Sequence, residues 1–168
     1  TKEKGWKRVM DTMCEAAKKM PQTHFYLDVI TKDNCLDLPT YDNLSVRKLD
    51  FMPFLQFCRQ IVDYDIFLDL RDIDFENTRC LPIKLFYYMA CGRPSIYANL
   101  SAISKGVSEI HQCAQLVNNV VEAANALCEY VCNRELYQSH CSNALHASIN
   151  KYNWNHIKSS FIQLIHEV

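Results

Sequence analysis

Glycine is nearly missing. The chain of 168 residues holds three, at positions 5, 92 and 106, where average usage of roughly 7% would supply about twelve. That scarcity excludes two common nucleotide cradles, because a Walker A loop needs two glycines five positions apart and a dinucleotide fingerprint needs G-x-G-x-x-G. An excess of either charge sign is also absent. With 18 basic residues against 19 acidic ones, no bulk field draws the chain to nucleic acid. No apolar run reaches the roughly 18 residues of a membrane span, and the opening Thr1-Lys2-Glu3-Lys4 reads as a start without a secretory leader. Neither G-x-S-x-G nor H-E-x-x-H occurs, so the usual serine-hydrolase and zinc-protease signatures are lacking.

Cysteine, by contrast, is plentiful. Nine are present, at 14, 35, 58, 80, 91, 113, 128, 132 and 141, with no C-x-x-C among them. An odd, dispersed set reads as reduced thiols serving as small apolar side chains in a cytosolic protein, not as a disulfide framework. Cys128 and Cys132 stand one helical turn apart near His140 and Cys141. Both thiols fall on the apolar stripe of their helix, so the expectation is core packing and no metal. A chain of this length and 49% hydrophobic content is expected to fold as one domain over residues 1–168.

Hydrophobic periodicity orders the elements. Trp6, Val9, Met10, Met13, Ala17 and Met20 recur at helical spacing over 5–20, and Pro21 ends that helix. Residues 24–30 and 44–49 read as strands, separated by a polar loop containing Pro39. Pro53 opens a helix through Leu55, Cys58, Ile61 and Val62, and 65–70 is a short apolar run of buried-strand type. A charged loop over 71–80 leads to a helix bounded by Pro82 and Gly92, then to strand 95–98. A short helix carrying Ile103, Val107 and Ile110 precedes a last strand, 113–117. The rest is helical, with stripes at Val120–Val131, at Leu136–Ala144, and from Trp154 to the end through Ile157, Phe161 and Leu164. Strands alternating with helices predict an α/β fold: a three-layer, Rossmann-like parallel sheet of about five strands with helices on both faces and a helical C-terminus.

In such a sheet ligands bind beyond the carboxyl ends of the strands, which directs attention to 31–34, 50–52, 70–81 and 99–101. The loop before the Pro82 helix feeds that helix's free amides, an anion site in itself. Arg71, Arg79, Lys84 and Lys4 are the nearby cations, and each alone is more ordinarily a solvated surface charge. Asp69, Asp72, Asp74 and Glu76 offer carboxylates for acid–base or metal chemistry, yet their alternation is also that of a solvated loop. Of the acidic positions a receiver-type domain would need, only Asp69 is a candidate.

The run Pro82-Ile-Lys-Leu-Phe-Tyr-Tyr-Met-Ala-Cys-Gly-Arg-Pro-Ser-Ile96 resembles the signature of retaining GT-B glycosyltransferases of the group 1, or family 4, type: P-x-K-x-x-E-y-M-A-x-G-x-P-v-I. Lys4-Gly5, the segment 46–52, Tyr64-Asp65-Ile66-Phe67-Leu68 and Tyr152-Asn153-Trp154 are similar to other family motifs in the same order, so the resemblance spans nearly the whole chain. It implies the carboxy-terminal, nucleotide-sugar-binding domain of a two-domain enzyme that transfers a hexose from a nucleotide diphosphate sugar to a glycan or lipid-linked acceptor, as in polysaccharide or cell-surface glycan biosynthesis. The implied location is cytoplasmic, peripheral at the inner face of the membrane in the longer enzyme, and no cofactor or metal is implied.

The resemblance puts Lys4 and Arg79 on the diphosphate, Leu81, Pro82 and the amides that follow beside it, Tyr87 at the ribose, and Asp50, Phe51 and Met52 beside the base. No catalytic side chain is assigned. The family's paired glutamates map to Arg79 and Tyr87, and its glycine after the second strand maps to Asp50. A tyrosine offers one hydroxyl where a carboxylate accepts twice, and an arginine can grip phosphate. Those substitutions leave a scaffold or docking module as the alternative reading. The family's first strand and amino-terminal acceptor domain would precede Thr1, so this stretch by itself is expected to bind donor weakly and transfer nothing. The face of the last helix bearing Trp154, Ile157, Phe161 and Leu164 would then lack its covering domain, which predicts an exposed apolar face or self-association.

Overall fold

The computed structural model describes residues 5–30 and 41–166, the side chains at 159–161, 164 and 166 excepted. Lys4 and the loop over 31–34 therefore lie outside the described residues, as do the side chains of Phe161 and Leu164. Among the described residues, helix α1 (Trp6–Lys19) leads to β1 (Phe25–Ile30) and β2 (Leu44–Leu49), then α2 (Phe54–Ile61) and β3 (Phe67–Asp69). A 3-10 turn (Asn77–Arg79), α3 (Lys84–Ala90) and β4 (Ser95–Ala98) follow, and α4 (Ser101–Gly106) and α5 (Ile110–Cys113) precede β5 (Ala114–Val117). The chain closes with α6 (Val120–Cys132), α7 (Arg134–Asn150) and α8 (Trp154–His166).

The mixed α/β class agrees with the sequence, and every recorded strand pairing is parallel. Among the described residues the strands lie in two parallel sheets, β1-β2 and β3-β4-β5. In the first, Phe25 stands opposite Leu44 and Asp28 opposite Arg47; in the second, β4 is central, with Ile96 opposite Leu68 and Gln115.

One apolar cluster nevertheless runs under both sheets. It joins Phe25 and Leu44 of the first pair to Ile96 and Val117 of the second through Met13, Ala16 and Ala17 of α1 and Ala123, Ala124 and Leu127 of α6. A strand turns successive side chains to opposite faces, so Tyr97, next to Ile96, enters a second cluster with Leu85 and Met89 of α3, Ile103 of α4 and Ala144 of α7, and Ala98 at the end of the strand also belongs to it. Every residue of β4 is buried, as a strand covered on both faces requires. Over that face Phe67 stacks on Tyr88 with centroids 4.0 Å apart and planes 7° from parallel, an aromatic pair worth about 1 kcal/mol beyond its buried area.

Local chemistry sets the element ends. Asn119 accepts from the Glu122 amide at 2.9 Å while Glu122 takes the Asn119 side-chain amide at 2.7 Å, and Asn133 caps α7 through the Leu136 amide at 3.0 Å; such caps contribute about 1 kcal/mol each. The Pro82 helix is shorter than its boundary residues predict, because Pro82 and Ile83 form a turn ahead of Lys84. Pro53 sits just outside α2, Cys113 ends α5 instead of opening β5, and β3 is three residues long. Gly92 adopts φ +63° at the end of α3, the left-handed conformation that Gly tolerates best.

The eight described cysteines are free thiols. No helix among the described residues is long and apolar enough to cross a membrane. On α8, Trp154 is 61% exposed and Ile157, Ile162 and Ile165 are also exposed.

Gly5 and Gly92 are distinguishable by experiment. Both have positive φ, but a Cβ on Gly5 would lie 2.0 Å from the Leu70 carbonyl oxygen, whereas one on Gly92 would meet nothing nearer than the Leu145 Cβ at 3.4 Å. Gly5→Ala is expected to cost about 3 kcal/mol or more and Gly92→Ala about 1 kcal/mol in urea unfolding. A second prediction concerns His140, which is buried with Nδ1 2.8 Å from the Tyr130 hydroxyl. Burial holds its pKa below the usual value, against the opposing charge of Glu129. The unfolded imidazole therefore takes up a proton more readily than the folded one, and stability should fall as pH drops through about 6.5. His140→Gln should flatten that part of a stability-versus-pH curve, measured by thermal unfolding.

Candidate functional site

Because all pairings are parallel, the segments after β2, β3, β4 and β5 emerge at the carboxyl ends of their sheets. The first anchor there is α1. Its N-terminus is pressed against the residue following β3, with Gly5 at φ +72° directly over the Leu70 carbonyl. Arg8, in the first turn, donates from Nη1 to the Arg71 carbonyl at 2.6 Å and from Nη2 to the Asn118 carbonyl at 2.9 Å. One guanidinium thus ties the loop after β3 to the loop after β5. The sequence reading passed over Arg8, although a cation at the positive end of a helix is a usable signal: it opposes the dipole and needs local acceptors.

The carboxylates of the charged loop are engaged. Asp69 receives two parallel hydrogen bonds from Arg71, both 2.9 Å, so this pair is bidentate and half-buried. Asp72 lies 3.9 Å from Arg8 Nη1. Asp74 accepts the Asn77 backbone amide at 2.7 Å and its side-chain amide at 2.9 Å, which caps the 3-10 turn. These are structural tasks, and they remove three of the four acidic candidates from acid–base duty. Among the described residues no group of His, Cys, Asp and Glu is arranged to hold a metal ion.

The expected binding residues fall into two groups. Phe51 is exposed after β2, with Asp50 exposed and Met52 half-buried beside it. Tyr87 of α3 packs against Phe54 and Phe57 of α2, the helix that follows 50–52, at centroid distances of 5.4 and 6.3 Å. Leu55 of α2 and Ile83, just ahead of α3, are also exposed. The second group surrounds Arg79, whose guanidinium lies 3.6 Å from the centroid of the Phe75 ring. Arg79 lines an open depression of about 420 Å³ with Thr78, Ser101, Ala102, Lys105 and Gly106. Ser101 closes one wall by donating to the Thr78 carbonyl at 2.8 Å. Leu81 covers Gly106, Pro82 is buried, and Lys84 is exposed.

A separate polar network ties the first sheet to α2. Arg47 grips Asp28 through two hydrogen bonds of 2.9 and 2.5 Å, and the Tyr64 hydroxyl donates to the same carboxylate at 2.7 Å. The bond from Arg47 holds the Asp28 pKa below the ordinary carboxylate value, and the Tyr64 hydroxyl adds to the effect against partial burial. Comparison with protein-family models and with curated proteins found no match to this chain.

Arg8→Ala should strip both loop carbonyls of their donor. Its expected cost in chemical unfolding is about 1–3 kcal/mol, with faster amide exchange in the loops flanking Arg71 and Asn118.

Proposed function

We propose that this chain is the nucleotide-sugar-binding domain of a GT-B glycosyltransferase of the group 1 type, its two sheets being parts of one Rossmann-like parallel sheet. The observation that carries the reading is the segment 82–96. Its Met89-Ala90-Cys91-Gly92-Arg93-Pro94 core ends a helix, turns through Gly92 at φ +63° and enters a fully buried central strand, the path on which the family motif depends. The same segment carries Tyr87 to Phe54 and Phe57 of α2, the helix that follows 50–52.

On this reading the nucleoside lies against Phe51, Met52 and Tyr87, with the Tyr87 hydroxyl toward the ribose. The diphosphate lies toward Arg79, Lys105 and the residues at the start of α3, with Lys4 contributing from the amino-terminal side. The protein's part in transfer is electrostatic: cations and backbone donors stabilise charge building on the departing nucleoside diphosphate. The acceptor, a glycan or lipid-linked sugar, would be held by an amino-terminal domain, so this chain alone binds without transferring.

One observation favours the alternative of a scaffold or docking module. Where the family places carboxylates, Arg79 is stacked on Phe75 and Tyr87 is wedged against Phe54 and Phe57, so neither acts as a hydroxyl-binding acid. Titration with uridine and guanosine diphosphates should shift the NMR signals of Tyr87 and Lys4, and a folded sample that stays silent with both nucleotides would sink the donor-binding reading. In the longer protein, Arg79→Glu with Tyr87→Glu separates the two. Loss of a native transferase activity supports the enzyme, and a gain from nothing supports the module.

A further inference from the structure

We infer that the cleft between α5 and α7 is a binding site for one uncharged polyhydroxylated ring, a sugar or cyclic polyol. Its placement, its polar lining and its charge balance carry this, and none of them rests on the donor reading.

The cleft lies away from the candidate site at the carboxyl ends of the strands. Helix α5 ends at Cys113 and β5 begins at Ala114, so Glu109 and Gln112 stand just ahead of the amino end of β5. Facing them, α7 presents Asn143, His146 and Asn150, at i, i+3 and i+7 on one side of the helix. Together with Lys151 and the buried Ala147 they enclose about 270 Å³. Small-molecule pockets run from roughly 300 to 1,000 Å³, so the space suits a single ring. Seven residues of α-helix rise about 10.5 Å, which lets the two asparagines reach such a ring from successive turns.

The hydrogen bonds within the protein fix how the lining is oriented. Asn143 donates its side-chain amide to the Gln112 carbonyl at 3.1 Å and so ties α7 to α5. Asn150 donates in the same way to the His146 carbonyl at 3.0 Å. Each bond engages the amide nitrogen and leaves the Oδ1 acceptor for an incoming donor. Among the described residues, the side chains of Gln112 and His146 have no hydrogen-bond partner in the protein. They add an amide donor, an amide acceptor and an imidazole. A hydroxyl both donates and accepts, and a ring that carries several matches this mixed set.

Charge narrows the ligand further. Glu109 and Lys151 are the charged side chains of the lining, and they pair at 2.6 Å. The Tyr152 hydroxyl donates to the second Glu109 oxygen at 2.7 Å, and Lys151 also reaches the Ser108 hydroxyl at 2.6 Å. The bonds from Lys151 and then Tyr152 hold the Glu109 pKa down to about 2, so the group stays an acceptor. A carboxylate has about four acceptor positions; with these two filled, enough remain for a neighbouring pair of hydroxyls. Because the ion pair cancels its own charge, neither a phosphate nor an ammonium group is favoured, in contrast to the depression lined by Arg79 and Lys105. No Phe, Tyr or Trp is among the lining residues, which removes the stacking surface a nucleobase uses.

The test is an NMR titration of the 168-residue chain with myo-inositol and with the methyl glycosides of glucose, galactose, mannose and N-acetylglucosamine. The side-chain amides of Gln112, Asn143 and Asn150 are read. At least one probe is expected to shift all three saturably, with a Kd of roughly 1–10 mM. Saturation by a glycoside identifies the occupant as a sugar that can be carried on a glycan, and saturation by inositol alone identifies a free polyol. His146→Ala and Asn150→Ala, at two exposed positions, are expected to weaken binding about tenfold each and to leave thermal unfolding unchanged. Should one of them fail to fold, Gln112→Ala on the other wall takes its place. No saturation by any probe at about 0.1 M overturns the proposal. So does saturation that the variants leave unchanged, or stronger shifts of the same amides by pyrophosphate, lysine or adenosine, which would make the cleft a site for an ion or a base. No nucleoside diphosphate is added, so the outcome is independent of the donor titration.

Discussion

The packing rests on a close approach of two backbones. Gly5 sits where any side chain would collide with the Leu70 carbonyl, and that contact sets where α1 begins. Everything α1 does follows from that starting point. Met13, Ala16 and Ala17 reach both sheets and α6 from one face, and Arg8 is placed to cap the carbonyls of Arg71 and Asn118. A cation in the first turn opposes the helix dipole, and the two carbonyl acceptors offset that cost. Displacing the start of α1 by one residue would rotate its stripe by about 100° and take the core and the loop anchor away together.

How much of this was legible beforehand depended on whether the controlling contact is local. The helical stripe of α1, the buried character of β4 and the turn at Gly92 are written in periodicity and in single residues, and the structure has them where the pattern places them. On α6, by contrast, Val121 and Val131 of the expected stripe are exposed, and Ala123, Ala126 and Tyr130 join Ala124 and Leu127 on the buried face. Strand pairing is different. Alternation tells which side chains go inward but not which edge lies beside which, so five strands were foreseeable and their division into two ladders was not. Element ends shift where proline marks a helix start. Pro82 suits a first helical position, yet its carbonyl closes a turn by accepting the Leu85 amide at 3.1 Å before the helix is established.

The candidate site shows the same limit. The acidic residues after β3 were visible as a list of charges, and their roles depended on partners chosen by folding. Asp69 took Arg71 two positions away, Asp74 took Asn77, and Asp72 came near Arg8, sixty-four positions upstream. The first two are local pairings that short-range rules could have caught; the third is not. Likewise Tyr87 stands out in the sequence on its own, but its packing is made by Phe54 and Phe57, aromatic side chains at helical spacing that look like ordinary core residues until α3 is laid against α2.

On the donor-binding reading proposed above, Arg79 and Tyr87 standing where carboxylates would be expected has a direct electrostatic consequence. A glutamate beside a sugar hydroxyl accepts hydrogen bonds and repels phosphate, and an arginine does the reverse. With two cations, Arg79 and Lys105, lining one depression and no carboxylate among its lining residues, its charge favours an anion over a polyol. The guanidinium is also held by the Phe75 ring, which reduces the rotamer freedom it would lose on gripping a phosphate. Affinity in such a site would come from the diphosphate and the stacked base. Discrimination among sugars needs fixed acceptors for hydroxyl groups, which a guanidinium, carrying donors only, does not supply.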